Sequence, residues 1–159
     1  MFRVEAIGNG SRMTIFEAIR DDHDTQRTLI DLVVETEGAS DGREELWAKL
    51  KVELEAHAAA EERYFYVPLM EHDVTQDAAR HSVAEHKELD DFVEQLEGYD
   101  MAGPQWVQTA RELRERLLHH LAEEESEVFP VAGRVIDDDE KERLAGEYTS
   151  DMERRRSEA

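Results

Sequence analysis

An all-α fold, an up-down-up-down antiparallel four-helix bundle with a short extra C-terminal helix, is what the sequence predicts. Three observations predict it. Apolar residues recur at helical spacing in four successive stretches. Short breaks carrying glycine or proline separate those stretches. The 159 residues are 40% hydrophobic and 37% charged, a mixture that suits amphipathic helices with wide solvated faces better than a sheet. Long helices joined by short connections make antiparallel neighbours.

The first helix opens at Thr14, where Thr14 and Glu17 read as a capping box, and ends near Gly38. Phe16, Ile19, His23, Ile30 and Val33 share its inner face. The second runs from Asp41, read as its N-cap, to near His72, with Leu46, Leu50, Leu54, His57, Glu61, Tyr64 and Phe65 as its stripe. Pro68 is expected to kink its last turn. The third opens between Asp73 and Thr75 and closes near Gly98, with Ala79, Val83, His86, Leu89, Val93 and Leu96 inward. Gly103-Pro104 stops and restarts the chain. The fourth helix presents Trp106, Ala110, Leu113, Leu117, His120, Glu124, Val128 and Val131 on one face. A shorter helix is expected from Asp138 to about Tyr148. The domain is thus bounded at 14–150, with a flexible segment 1–13 before it and a frayed tail 151–159 after it.

The charge excludes some function classes. With 19 basic against 40 acidic residues the net charge is −21, which repels phosphate backbones and anionic lipid. Neither nucleic acid nor a membrane surface is expected as a partner. The absence of cysteine excludes disulfides and thiolate metal sites. No stretch has signal-peptide or membrane-spanning character, so a cytoplasmic protein is expected.

Polar residues interrupt every one of the four apolar stripes: His23, then His57 with Glu61, then His86, then His120 with Glu124. Burying an unpaired carboxylate costs several kcal/mol, and a buried imidazole also needs partners. A lone core histidine is an ordinary satisfied polar group; six such residues in corresponding places need a common cause. His57 follows His23 by 34 residues and His120 follows His86 by 34, so the whole pattern repeats at an offset of 63. An aromatic residue and a proline follow each repeat, in Phe65-Tyr66-Val67-Pro68 and Phe129-Pro130. Counting residues from the turns near residue 40 and at Gly103-Pro104 puts all six side chains in one mid-bundle layer. Each His-x-x-x-Glu pair shares a helix face, and imidazole and carboxylate donors converging from four helices form a transition-metal site. Ligand type alone does not choose among iron, zinc and manganese.

These residues resemble the hemerythrin-like HHE cation-binding family, over roughly Thr14 to Val131. The resemblance implies a non-haem centre of two iron ions, bridged by two carboxylates and an oxo or hydroxo group, held by His23, His57, Glu61, His86, His120 and Glu124. It implies a position that takes O2, peroxide or nitric oxide, for sensing, storage or detoxification. An iron- or oxygen-responsive interaction module and a catalase- or peroxidase-like enzyme are the alternatives. Oxygen-carrying members use a third-helix His-x-x-x-His pair and a fourth-helix aspartate. Here Ser82 and Glu124 stand in those places, which favours a site that reacts with peroxide or oxygen, or that responds to iron supply, over reversible carriage.

The other candidates read more plainly. His81 lies about 140° around its helix from His86, and His119 about 100° from His120, so both are expected off the centre. His72 is expected at the surface. Tyr64, Phe65 and Trp106 read as core filling. Glu62, Glu123, Glu125 and Glu127 read as surface charge, with Glu62 or Glu125 able to support a histidine from behind.

Overall fold

A computed structural model describes residues 12–159; residues 1–11, and with them most of the segment expected to be flexible, lie outside the described residues. The described residues are helical, with no strand among them. Five long helices dominate: α1 (Ile15–Glu35), α2 (Asp41–Glu61), α4 (Asp73–Gly98), α5 (Pro104–Glu123) and α7 (Asp138–Glu158). Two short ones, α3 (Val67–Met70) and α6 (Phe129–Val135), continue α2 and α5 beyond a single wide turn each. The packing is that of a helix bundle: α1 lies against α2, α5 and α7, and α4 lies against α5. No helix among the described residues is long and apolar enough to cross a membrane.

Local chemistry explains the boundaries. The Thr14 hydroxyl accepts from the Glu17 N–H while the Glu17 carboxylate accepts from the Thr14 N–H, closing the capping box. Helix α1 stops at Glu35, three residues before Gly38, whose φ of 58° turns the chain. The cap of α2 is Ser40 rather than Asp41: the Ser40 hydroxyl takes the Arg43 N–H, and Asp41 becomes the first helical residue. Pro104 begins α5 with Gly103 as its cap, where a missing N–H costs nothing.

The expected kink at Pro68 takes another form. Glu62–Tyr66 and Glu124–Val128 are π-helical turns, in which the Val67 N–H donates to the Glu62 carbonyl and the Phe129 N–H to the Glu124 carbonyl. A proline follows each turn by two residues, at Pro68 and Pro130. Proline lacks an N–H and crowds the carbonyl four residues back, so a wider turn relieves the clash without ending the helix. The inserted residue shifts the stripe. Tyr66 is fully buried where Tyr64 was expected, and Ala132 is buried in place of Val131.

The tail also departs from expectation. Helix α7 runs ten residues beyond Tyr148, to Glu158, and packs on α1 and α2. Leu144, Ala145, Tyr148, Asp151 and Met152 form its buried face. Arg156 clamps the end of α7, donating to both Glu53 oxygens at 2.7 and 2.9 Å and to Asp22 at 2.8 Å. Two apolar clusters fill the bundle. One gathers Ile15, Ile19, Phe65, Leu69, Phe129 and Tyr148; the other gathers Ile30, Leu50, Leu96, Leu113 and the edge-to-face pair Trp47–Trp106. A polar layer separates them.

Met152 is 1% exposed, so Met152→Ala should cost about 2–3 kcal/mol. Urea unfolding checks this, since a frayed tail would leave the midpoint where it was.

Candidate metal centre

The layer consists of the residues the sequence singles out. His23 from α1, His57 and Glu61 from α2, His86 from α4, His120 from α5 and Glu124 at the head of the second π-turn are at most 4% exposed. Ring centroids lie 5.1 Å apart for His23–His57, 6.4 Å for His57–His86 and 5.0 Å for His86–His120. Two donor sets result, with all donor atoms in each set within 4.8 Å of one another: His23, His57, Glu61 and Glu124 in one, Glu61, His86 and His120 in the other. Glu61 belongs to both. Its Oε1 stands 3.2 Å from His57 Nε2 and 3.1 Å from His86 Nε2.

The four imidazoles are held the same way. Each uses Nδ1 outward and turns Nε2 toward the centre. His23 Nδ1 meets Glu125 at 2.6 Å, His86 Nδ1 meets Glu62 at 3.1 Å, and His120 Nδ1 meets Glu85 at 2.7 Å. His57 Nδ1 meets the Tyr148 hydroxyl at 2.6 Å, and that hydroxyl donates in turn to Asp22. An Nδ1–H held by an oxygen leaves Nε2 as the lone-pair nitrogen, the arrangement found behind metal-ligating histidines.

Inside the layer, partners run out. His23 Nε2, His57 Nε2, His120 Nε2, Glu61 Oε2 and Glu124 Oε1 are buried without a hydrogen bond. His23 Nε2 and Glu124 Oε1 approach to 3.1 Å, but without hydrogen-bond geometry, so both stay unpartnered. A core normally satisfies such atoms, and each orphan costs about 1–3 kcal/mol. Facing lone pairs on nitrogen and oxygen are what a cation between them would satisfy. The residues fit a metal centre.

The electrostatics agree. Burial raises Glu124, and the facing Glu61 raises it further, to well above the usual carboxylate range. Burial also pushes Glu61 upward, but the charge of His57 and the nearby His86 imidazole outweigh it and hold Glu61 well below that range. Burial disfavours charged His57, yet Glu61 and Asp22 hold it up at about 9. The raised His57 and Glu124 both offset the buried charge of Glu61, as a cation would.

Residues 14–132 match the model of the hemerythrin HHE cation binding domain. The chain belongs to the hemerythrin HHE cation-binding family. The fold agrees with that of a crystal structure of a hemerythrin HHE cation binding domain-containing protein from Mycobacterium kansasii. The TM-score is 0.83 at 24% identity, over 92% of this chain and 89% of that one. No curated protein matches the chain.

Within this HHE domain, Glu62 and Glu125 stand where the sequence reading allowed them, behind His86 and His23. Sequence reasoning missed Asp22, Glu85, Tyr66 and Tyr148. The signal for the first two was present: Asp22 and Glu85 are 63 apart, as Glu62 and Glu125 are, so the supporting carboxylates obey the same repeat as the inner residues. The one-methylene-shorter Asp22 stops 3.9 Å from His57 Nδ1, and the Tyr148 hydroxyl fills the gap. Tyr66 breaks the symmetry. Its counterpart at offset 63 is Phe129, whereas the Tyr66 hydroxyl lies 3.0 Å from Glu61 Oε1 and hydrogen-bonds Glu124 Oε2. His81 and His119 stay outside the layer at the surface, and His72 is only half-buried.

Two measurements test the site as built. Tyr148→Phe removes the hydroxyl between His57 and Asp22 and should cost about 1–3 kcal/mol by urea unfolding. The second concerns pH. In the cation-free fold His57 and His86 are raised above the ordinary value of 6.5, and raised groups stabilise below the unfolded pKa and lose that contribution as pH climbs through the folded one. Glu124, also raised, acts in the same direction. Chelator-treated protein should therefore melt at a lower temperature above pH 9 than at pH 6.5. An unchanged or higher melting point at alkaline pH contradicts this charge arrangement.

Proposed function

We propose that this HHE domain is a non-haem di-iron protein whose centre takes O2 or a related small ligand, peroxide or nitric oxide, in sensing, storage or detoxification. One observation carries the reading: two buried donor sets share Glu61 and aim unpartnered Nε2 and carboxylate atoms at each other. His23 and His57 would hold one ion, His86 and His120 the other, with Glu61 and Glu124 between them. Mixed imidazole and carboxylate donors suit iron, and few donors per ion leave coordination positions for a ligand. Bound iron would supply the redox chemistry.

The chain's own residues supply the rest. Glu125, Glu62 and Glu85, with the Tyr148–Asp22 pair, fix the ring orientations. Tyr66 holds a hydroxyl proton on Glu124, inside the layer. A crevice lined by Leu54, Ala58, Leu89, Asp90 and Val93 reaches His57, His86 and His120, with about 10 Å³ of free room, enough for one water-sized molecule. Its largely apolar walls suit a small ligand. We also read α1, α2, α4 and α5 as an up-down-up-down bundle with antiparallel neighbours, since short connections join helices that pack together.

Metal analysis and an optical spectrum of protein purified without added metal test the proposal. Two iron ions per chain, and a spectrum that changes with peroxide, are expected. His57→Ala and Glu61→Ala should lose metal and melting temperature together. The thermal loss should be of order 10 °C, as follows from about 4 kcal/mol of binding linkage. Full metal content with normal melting in either variant removes that residue from the centre. Oxygen release from peroxide over many turnovers would make the protein an enzyme rather than a binder.

A further inference from the structure

A second group of imidazoles and carboxylates lies outside the buried layer, across the packed faces of α4 and α5. Each helix presents a His-x-x-x-Glu pair there: His81 with Glu85, and His119 with Glu123. The i, i+4 spacing puts both members of each pair on one side of the helix. His81 Nε2 stands 2.9 Å from Glu123 Oε1 and 3.3 Å from Glu85 Oε2, and these three donors lie within 4.8 Å of one another. His119 Nε2 meets the other Glu123 oxygen at 3.1 Å.

We propose that His81, Glu85 and Glu123 form a second, surface-accessible site for a divalent transition cation of the zinc class, with His119 holding the Glu123 carboxylate in place. One ring nitrogen carries at most one proton, yet carboxylate oxygens from two helices close on His81 Nε2. A cation among the three satisfies all of them. Ligand atoms about 2.0–2.1 Å from a tetrahedral ion are about 3.3 Å apart, so the observed spacings need only a small opening. Three protein donors and a water complete such a site. Imidazole selects zinc-class ions over calcium or magnesium, which take oxygen alone. The side chain of Glu85 is only 9% exposed, whereas that of His81 is 60% exposed, so the site is anchored on its inner side and open on its outer one. Glu85 also links the two sites, since its Oε1 holds His120 Nδ1 at 2.7 Å.

The site stands whether or not iron occupies the buried layer, and one experiment keeps the two apart. Equilibrium dialysis of the full chain against zinc, in excess magnesium, is followed by metal analysis for zinc and iron. Wild type should bind one zinc equivalent more than His81→Ala, and Glu123→Gln should bind that equivalent at least about tenfold more weakly. Both variants should keep wild-type iron content and melting temperature, because His81 is exposed, Glu123 is only half-buried and neither side chain belongs to the buried layer. His57→Ala should lose iron and keep this zinc. Equal zinc in wild type and His81→Ala overturns the proposal, as does displacement of the zinc by magnesium.

Discussion

Two carboxylates sit face to face in the middle of an apolar bundle, and the rest of the molecule is arranged around that constraint. Leaving an ionised carboxylate buried and uncompensated costs several kcal/mol, against a total folding stability of about 5–15 kcal/mol. Glu61 and Glu124 are both essentially inaccessible to water and directly opposed. The imidazoles that surround them relieve part of the cost. The orphaned Nε2 and Oε atoms mark where that relief stops and where a cation would complete it.

The outer residues answer the same constraint one step further out. Imidazole nitrogens can face inward only if their other nitrogens are held, and four oxygens at the flanks hold them. These flanking groups reach solvent or cations in turn. Glu125 binds Arg27 as well as His23, and Asp22 binds Arg156 as well as Tyr148. Charge is thus handed from the buried layer to the surface through short ionic chains. The C-terminal helix takes part in one of them, so the end of the chain bears on the centre of the fold.

Internal duplication makes the layer nearly two-fold, and its exceptions give the two halves different chemistry. The inner residues and the supporting carboxylates all repeat at 63. Tyr66 opposite Phe129, and Tyr148 with no counterpart in the other half, break the repeat. The layer therefore carries two hydroxyls, one at His57 and one between Glu61 and Glu124, that the repeat does not duplicate. The π-turns matter here. Closing five residues back instead of four brings Tyr66 over Glu61, whereas an uninterrupted α-helix would carry it about 140° away.

Much of this was legible in the sequence, because helix period and polar interruption are local properties. The four stripes, the capping box at Thr14, the Gly103-Pro104 restart and the common depth of six polar residues all follow from counting along the chain. The extent of α7 was half legible. Leu144, Tyr148 and Met152 recur at helical spacing, but a sequence dense in charge reads as solvent-exposed until Arg156 is seen between Glu53 and Asp22. What only the tertiary structure decided are the contacts between residues far apart in the chain. They include the reach of Tyr148 to His57, the hold of Glu85 on His120, the shift in register at each π-turn and the meeting of His81 with Glu123. Periodicity says which face of a helix is inward. Which side chain meets which across a packed interface depends on the phase and separation of two helices, and a one-residue insertion resets both.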